Sequence, residues 1–313
     1  MADLGFSLDE YHALRTGCGV VPLAGWSSVT LTGADRQKFL NNFCTNDVKR
    51  LQPGEHCEAF ITNVKGKIAG HGLVVCRENE LVYVTVPGQA AKVIEHLDRY
   101  IIREDAQLRD TTTERTYLFI SGGDSVAVPA DLGHWIRWRI FDVEVCGLLE
   151  VAIDDLLVAK SRLEGIYAVL SKTGTVPCSK AAFDAVRIES GMPLYDIDFN
   201  EDNLPQEVGR DEEAISFTKG CYLGQETVAR IDALGHVNQR IAGVRFAASD
   251  IPAIGCELTT GGNVMGRVTS ATFSPTLNAP LALVMVRRPA SALGTQLEST
   301  TGPCEVVELP LKI

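Results

Sequence analysis

The chain has 313 residues, with 29 Lys+Arg against 40 Asp+Glu and so a formal net charge of −11. About 100–200 residues per domain gives two or three domains, and 45% hydrophobic with 22% charged residues excludes disorder as the main state. The acidic balance argues against a nucleic-acid binder held by a basic surface.

No run of about 18 apolar residues occurs, so no membrane span is expected. The opening MADLGFSLDEYHALRTG reads as neither signal nor transit peptide. The nine cysteines are Cys18, Cys44, Cys57, Cys76, Cys146, Cys178, Cys221, Cys256 and Cys304. They are widely spread and hold no C-x-x-C pair. That pattern reads as reduced thiols of a cytoplasmic protein, not a disulfide framework, a zinc site or a cluster site.

In chain order, residues 27–31 (SSVTL) read as a strand, and residues 32–35 (TGAD) as a capping box opening a helix with Phe39 and Phe43 on one face. Residues 56–62 and 67–76 read as two strands of a hairpin, turned at Asn63-Val-Lys-Gly66. Residues 81–86 are a third strand. Ala90, Ile94, Leu97 and Ile101 follow at helical spacing. This order predicts an antiparallel α+β layer rather than a dinucleotide-binding unit. Residues 116–120 and 138–145 are further strands, and 154–170 a long helix. A helix beginning near Pro177 and Ser179 ends at Gly191. Residues 196–211 read as an acidic loop. Beyond Arg240, β-like runs at 241–246, 257–260, 264–270, 281–286 and 305–309 predict a small barrel-like module.

Two segments carry candidate chemistry. In Arg187-Ile-Glu189-Ser-Gly-Met-Pro-Leu-Tyr195, the two charges lie two apart and point to different sides of a helix end. In Lys219-Gly220-Cys221-Tyr-Leu-Gly224-Gln225-Glu226-Thr-Val-Ala-Arg230, a thiol sits just ahead of a helix start, two residues from a lysine. Such a thiol has reasons to be thiolate-like. It fits a nucleophile, a redox sensor or a transient metal ligand, and equally a small buried cysteine in a tight turn. Glu226 and Arg230 stand at i, i+4. His56, Cys57, His71 and Cys76 do not read as a metal site, because strand alternation scatters them. Gly122-Gly123 and Gly261-Gly262 read as turns. Trp135 and Trp138 read as packing residues.

KGCYLGQETVAR resembles the signature of the YgfZ family, folate-binding proteins related to the glycine-cleavage T-protein (aminomethyltransferase). RIESGMPLY, Pro205-x-Glu207, GRVTSATFSPTLNAPLALVMV, LTGADRQKFLNNFCTNDVKRL and ITNVKGKI resemble other superfamily segments, so the likeness spans nearly the whole chain. It implies an α+β fold of three domains, a T-protein-like ring around a central folate channel with a C-terminal β-barrel-like domain. The divisions expected are 1–50 with 141–240, then 51–140, then 241–313.

The resemblance also implies tetrahydrofolate or a derivative as cofactor, no stable metal, and a role in assembling or repairing iron–sulfur enzymes. Cys221 and Lys219 are then the working pair, with Lys219 keeping the thiol anionic. Gly220, Gly224, Gln225, Glu226 and Arg230 complete the motif, and Arg187, Glu189, Tyr195 and Glu207 contact folate. Folate and iron–sulfur client proteins or assembly factors are the partners implied, with no nucleic acid and no membrane; the chain is expected as a monomer. The aminomethyltransferase branch carries an aspartate after its V-N-A motif, whereas residues 84–92 here hold no carboxylate before Glu95. A folate-dependent one-carbon transferase is the alternative, and whether turnover occurs stays open.

Overall fold

The computed structural model describes residues 5–122, 134–137, 146–153 and 156–311. The strand expected at 138–145 lies outside these, as do Gly123 and Trp138. The chain divides into two compact units. One takes Met1–Leu23, Tyr117–Asp198 and Asn238–Ile313, and the other Ala24–Thr116 and Phe199–Val237.

In the second unit, β2 (Ser27–Thr32), β3 (His56–Thr62), β4 (Ile68–Cys76), β5 (Leu81–Thr85) and β6 (Gln107–Asp110) form one sheet in the order β3-β4-β5-β2-β6. Every pairing is antiparallel, as the element order predicted. Alternating apolar residues put Val29, Leu31, Ala59, Ile61, Val74 and Tyr83 into one core. Helices α2 (Arg36–Asn41) and α3 (Ala90–Asp98) close it with Phe39, Leu40, Val93 and Leu97. Each such fully buried side chain contributes about 1.5–3 kcal/mol. The Phe39 and Phe43 rings do meet, 4.9 Å apart.

The capping box expected at 32–35 is not formed. Thr32 ends β2, and the N-cap Asp35 makes no side-chain cap. The stretch is held by Asp105 instead. Its Oδ2 accepts from Ala34 N at 2.9 Å, and Asp35 Oδ2 accepts from Asp105 N at 3.0 Å.

In the first unit, β1 (Gly19–Pro22), β7 (Arg115–Ser121), β8 (His134–Arg137), β9 (Cys146–Ala152) and β10 (Val176–Pro177) are ordered β10-β1-β7-β9-β8. Pro177 lies in β10, and the helix expected there, α5 (Lys180–Glu189), starts from the N-cap Ser179. Gly191 follows it at φ +69, the left-handed stop expected. The long helix α4 is Leu156–Lys172. Helix α1 (Leu8–Arg15) was not foreseen, although Ser7-x-x-Glu10 forms a full capping box.

The remainder closes into a barrel, β11-β14-β13-β12-β15-β16, with β11 also pairing β16. Its strands are β11 (Gln239–Phe246), β12 (Glu257–Thr260), β13 (Asn263–Ser274), β14 (Ala279–Arg287), β15 (Gln296–Ser299) and β16 (Gly302–Val307). The last strand falls earlier than expected, and β15 was missed because it is short, exposed at alternate positions and flanked by turn residues.

Candidate functional site

Three short helices complete the second unit: α6 (Pro205–Val208), α7 (Asp211–Ala214) and α8 (Gln225–Leu234). Residues 219–224 of the motif form a loop between α7 and α8 that is held from both ends, and the rest of the motif opens α8. At the loop's start the Lys219 ammonium turns inward, 7% exposed, and donates to the carbonyls of Asn41, Cys44 and Asn46 at 2.7, 2.7 and 2.8 Å. It also stands 5.0 Å from the centre of the Tyr222 ring. Burial pushes the Lys219 ammonium below the usual lysine range.

At the loop's far end, Leu223 N donates to Asn42 O at 2.8 Å, and Leu223 O accepts from Thr62 Oγ1 at 2.7 Å. Gly224 caps α8 in the left-handed region (φ +80). A Cβ there would fall 2.3 Å from Asn63 O and 2.7 Å from Gly66 Cα, so only glycine lets the β3–β4 turn approach.

Between these anchors Gly220 and Cys221 are exposed. Cys221 is a free thiol. Of the two readings open in the sequence, exposure excludes the buried turn cysteine. An ammonium has three N–H groups, and here all three are directed to carbonyls, so Lys219 fixes the loop, and among the described residues no hydrogen bond joins it to Cys221. Gln225 is half-buried, Glu226 and Arg230 are exposed, and no ion pair joins the last two among the described residues.

The same unit carries Glu207 on α6. Its Oε2 accepts from Asn203 Nδ2 at 2.8 Å and from Leu204 N at 3.3 Å. Beside α6 lies a buried ionic cluster that the sequence did not announce. Arg210 donates through Nε and Nη2 to both oxygens of Glu58, at 2.9 and 2.6 Å, and His71 Nε2 lies 2.8 Å from Glu58 Oε1. Burial alone would raise the Glu58 carboxyl, but the Arg210 charge and the His71 hydrogen bond outweigh it and hold it well below the usual range. Phe60 and Phe199 flank the His71 ring, at 4.6 and 5.4 Å. Glu58 and Arg210 stand 152 positions apart, so no local pattern could pair them.

Arg187, Glu189 and Tyr195 belong to the first unit, and all three are buried. Arg187 donates to Asp184 Oδ1, Asp198 Oδ2, Met192 O and Ser270 Oγ. Glu189 is fully buried and accepts from Tyr11 Oη at 2.6 Å, from Thr276 Oγ1 at 3.2 Å and from Ser274 Oγ. The pair thus ties α5 to β13 and the turn after it, with Glu189 also joined to α1. It is not a solvated helix end. The first turn of α3 carries no acidic residue.

Two antiparallel-rich α+β units, one ending in a closed barrel, thus carry an exposed thiol on a pinned loop. Comparison with known proteins names the family. The GCVT N-terminal domain family matches residues 5–143, and the glycine cleavage T-protein C-terminal barrel domain matches residues 239–311. The chain belongs to the glycine-cleavage T-protein superfamily.

Among its relatives, an aminomethyltransferase of Rippkaea orientalis is 26% identical over 93% of this chain and 84% of its own length. One of Streptomyces coelicolor is 26% identical over 98% and 89%. The crystal structure of aminomethyltransferase T from Bartonella henselae superposes with a TM-score of 0.80 at 18% identity, covering 97% of this chain and 88% of that one. The α+β fold with its C-terminal barrel is therefore the T-protein fold. Among the described residues no helix is long and apolar enough to cross a membrane.

Proposed function

We propose that this chain is a tetrahydrofolate-binding, YgfZ-like member of the superfamily that assists the assembly or repair of iron–sulfur enzymes through Cys221. The supporting observation is the exposed, free thiol on a loop anchored at Lys219 and again at Leu223–Gly224. An exposed thiolate can ligate iron transiently or exchange with a disulfide, and one cysteine alone cannot hold a cluster.

The residues expected to contact folate fit it unequally. Arg187 and Glu189 have their polar atoms committed inside the first unit, and Tyr195 is 1% exposed, so none of the three presents a contact surface. Glu207, in the unit that carries Cys221, is also buried, at 7% exposed, with Oε2 accepting from Asn203 Nδ2 and Leu204 N, and its carboxylate is the kind of acceptor that a pterin's N–H donors need. Glu207 would hold that end, and the bound folate would supply a one-carbon carrier.

In cells lacking the protein, wild type should restore the activity of an iron–sulfur enzyme and Cys221→Ser should not. Full restoration by Cys221→Ser would sink the role given to the thiol. Titration of tetrahydrofolate by calorimetry tests the other half, with Glu207→Gln expected to weaken binding at least tenfold, a loss of about 1.4 kcal/mol.

The second reading, a folate-dependent aminomethyltransferase, is favoured by the names of the relatives. The first turn of α3 speaks against it, since it offers no acid to handle the proton at the folate nitrogen. Turnover in an aminomethyl-transfer assay, unaffected by Cys221→Ser, would establish this reading over the first.

A further inference from the structure

The β3–β4 turn does more than join two strands. It is closed by Gly66 N donating to Asn63 O at 2.9 Å, and by Asn63 Oδ1 accepting from Lys65 N and Lys67 N at 2.9 and 3.2 Å. This tight tip is wedged against the start of α8. A Cβ on Gly66 (φ +73) would stand 2.7 Å from Thr227 Cβ and 2.9 Å from Gly224 O. One residue before the tip, Thr62 Oγ1 holds Leu223 O. On its other side the tip holds the segment leading to Glu207. Lys67 Nζ donates to Asp202 O at 3.0 Å, and Ile68 N to Asn203 O at 3.0 Å.

We propose that Gly66, with Thr62, is a positioning residue for Cys221: the β3–β4 tip sets the height and rigidity of the thiol loop, in one frame with the Glu207 segment. Neither residue is part of the KGCYLGQE motif. The functional meaning rests on Cys221 being the working thiol, while the geometric claim stands by itself. The device requires a residue without a side chain at 66, because anything larger pushes Gly224 and Thr227 away and releases the loop's distal anchor. It requires a hydroxyl at 62, because Leu223 O otherwise loses its donor.

The test is a nitroxide spin label on Cys221 in the full chain, its site checked by peptide mapping, with loop mobility read from the spectrum. Gly54 is the control. It shares the left-handed backbone (φ +92) and the same unit, but a Cβ there meets nothing within 4 Å. Gly66→Ala and Thr62→Val should each raise the mobile component roughly twofold or more, and Gly54→Ala should leave the spectrum unchanged. If Gly66→Ala fails to fold, Thr62→Val decides alone, since it removes one hydroxyl and keeps the side-chain shape. Wild-type spectra for Thr62→Val and for a folded Gly66→Ala would reduce the tip to an ordinary turn and overturn the proposal. Failure of the thiol's cellular role is read separately, from the Cys221→Ser rescue, and leaves the spectra untouched.

Discussion

Lys219→Met separates a lysine that fixes a loop from one that acts on a thiol. In the wild type the ammonium makes three hydrogen bonds of 2.7–2.8 Å to main-chain carbonyls. Hydrogen bonds to a charged group contribute about 1.5–3 kcal/mol each, and the Tyr222 face adds about 0.5–2 kcal/mol. Against this stands the cost of burying the ammonium, several kcal/mol, which also pushes its pKa below the usual lysine range. Methionine keeps the stem's packing and removes that cost, but strands the carbonyls. Asn46 O retains a weak S–H donor from Cys44, while those of Asn41 and Cys44 lose the ammonium. At about 1–3 kcal/mol for each of the two stranded groups, the loss is about 2–6 kcal/mol. With a urea slope of about 2 kcal/mol per molar, the unfolding midpoint falls by roughly 1–3 M. Trp26, 8% exposed and in the same unit, reports the transition by fluorescence. An unchanged midpoint at unchanged slope would refute the clamp. If alkylation of Cys221 then also slowed sharply, the lysine would be acting on the thiol by charge.

Four further variants test named contacts. Gly224→Ala should lose more than about 2 kcal/mol, from left-handed strain plus the collision with Asn63 O. Gly220→Ala, with open space around it and no positive φ, should stay within about 0.5 kcal/mol, and equal losses in denaturant titrations would contradict this split of the motif. Glu58→Gln should cost about 3–5 kcal/mol, because Arg210 is left buried with a neutral partner. Since the Glu58 carboxyl is depressed in the folded state, its contribution is present above pH 4.5 and lost as the pH falls below that; acid titration of Glu58→Gln should show a shallower limb than wild type. Tyr11 is 3% exposed and its phenol is pushed up to about 12 by burial and by Glu189, from an ordinary 10.0. Its contribution of about 2–3 kcal/mol is therefore present below pH 10 and lost as the pH rises to about 12. Tyr11→Phe should remove that alkaline loss, measured as stability between pH 9 and 12.

What the sequence disclosed follows the range of the forces involved. The β3–β4 hairpin, α5 with Ser179 before it and Gly191 after it, and most barrel strands are written in neighbouring residues, as alternation, capping hydroxyls and turn glycines. Helix α1 is equally local, announced by its Ser7-x-x-Glu10 capping box. The site behaves differently. The carbonyls that receive Lys219 lie 173–178 positions upstream, and Glu58 meets Arg210 across 152. Charged side chains near a helix end are solvated more often than not. Only the tertiary structure reveals that Arg187, Glu189 and Lys219 are among the exceptions.

That distinction changes what the motif means. Its residues form two sets by direction. Lys219 and Tyr222 turn inward, while Gly224 lies against the β3–β4 tip, and their requirements are those of packing: three donors at one point, an aromatic face, a missing Cβ. Gly220, Cys221, Glu226 and Arg230 are exposed and, among the described residues, form no ion pair with one another. Packing does not demand glycine at 220, since a Cβ there meets nothing within 4 Å. The motif is thus a clamp around a short exposed stretch. A substitution in the clamp is expected to reach the thiol by moving the backbone that carries it, and so to show in stability before it shows in chemistry. A substitution in the exposed stretch can change chemistry with stability untouched, and that ordering separates scaffold from site within a single twelve-residue signature.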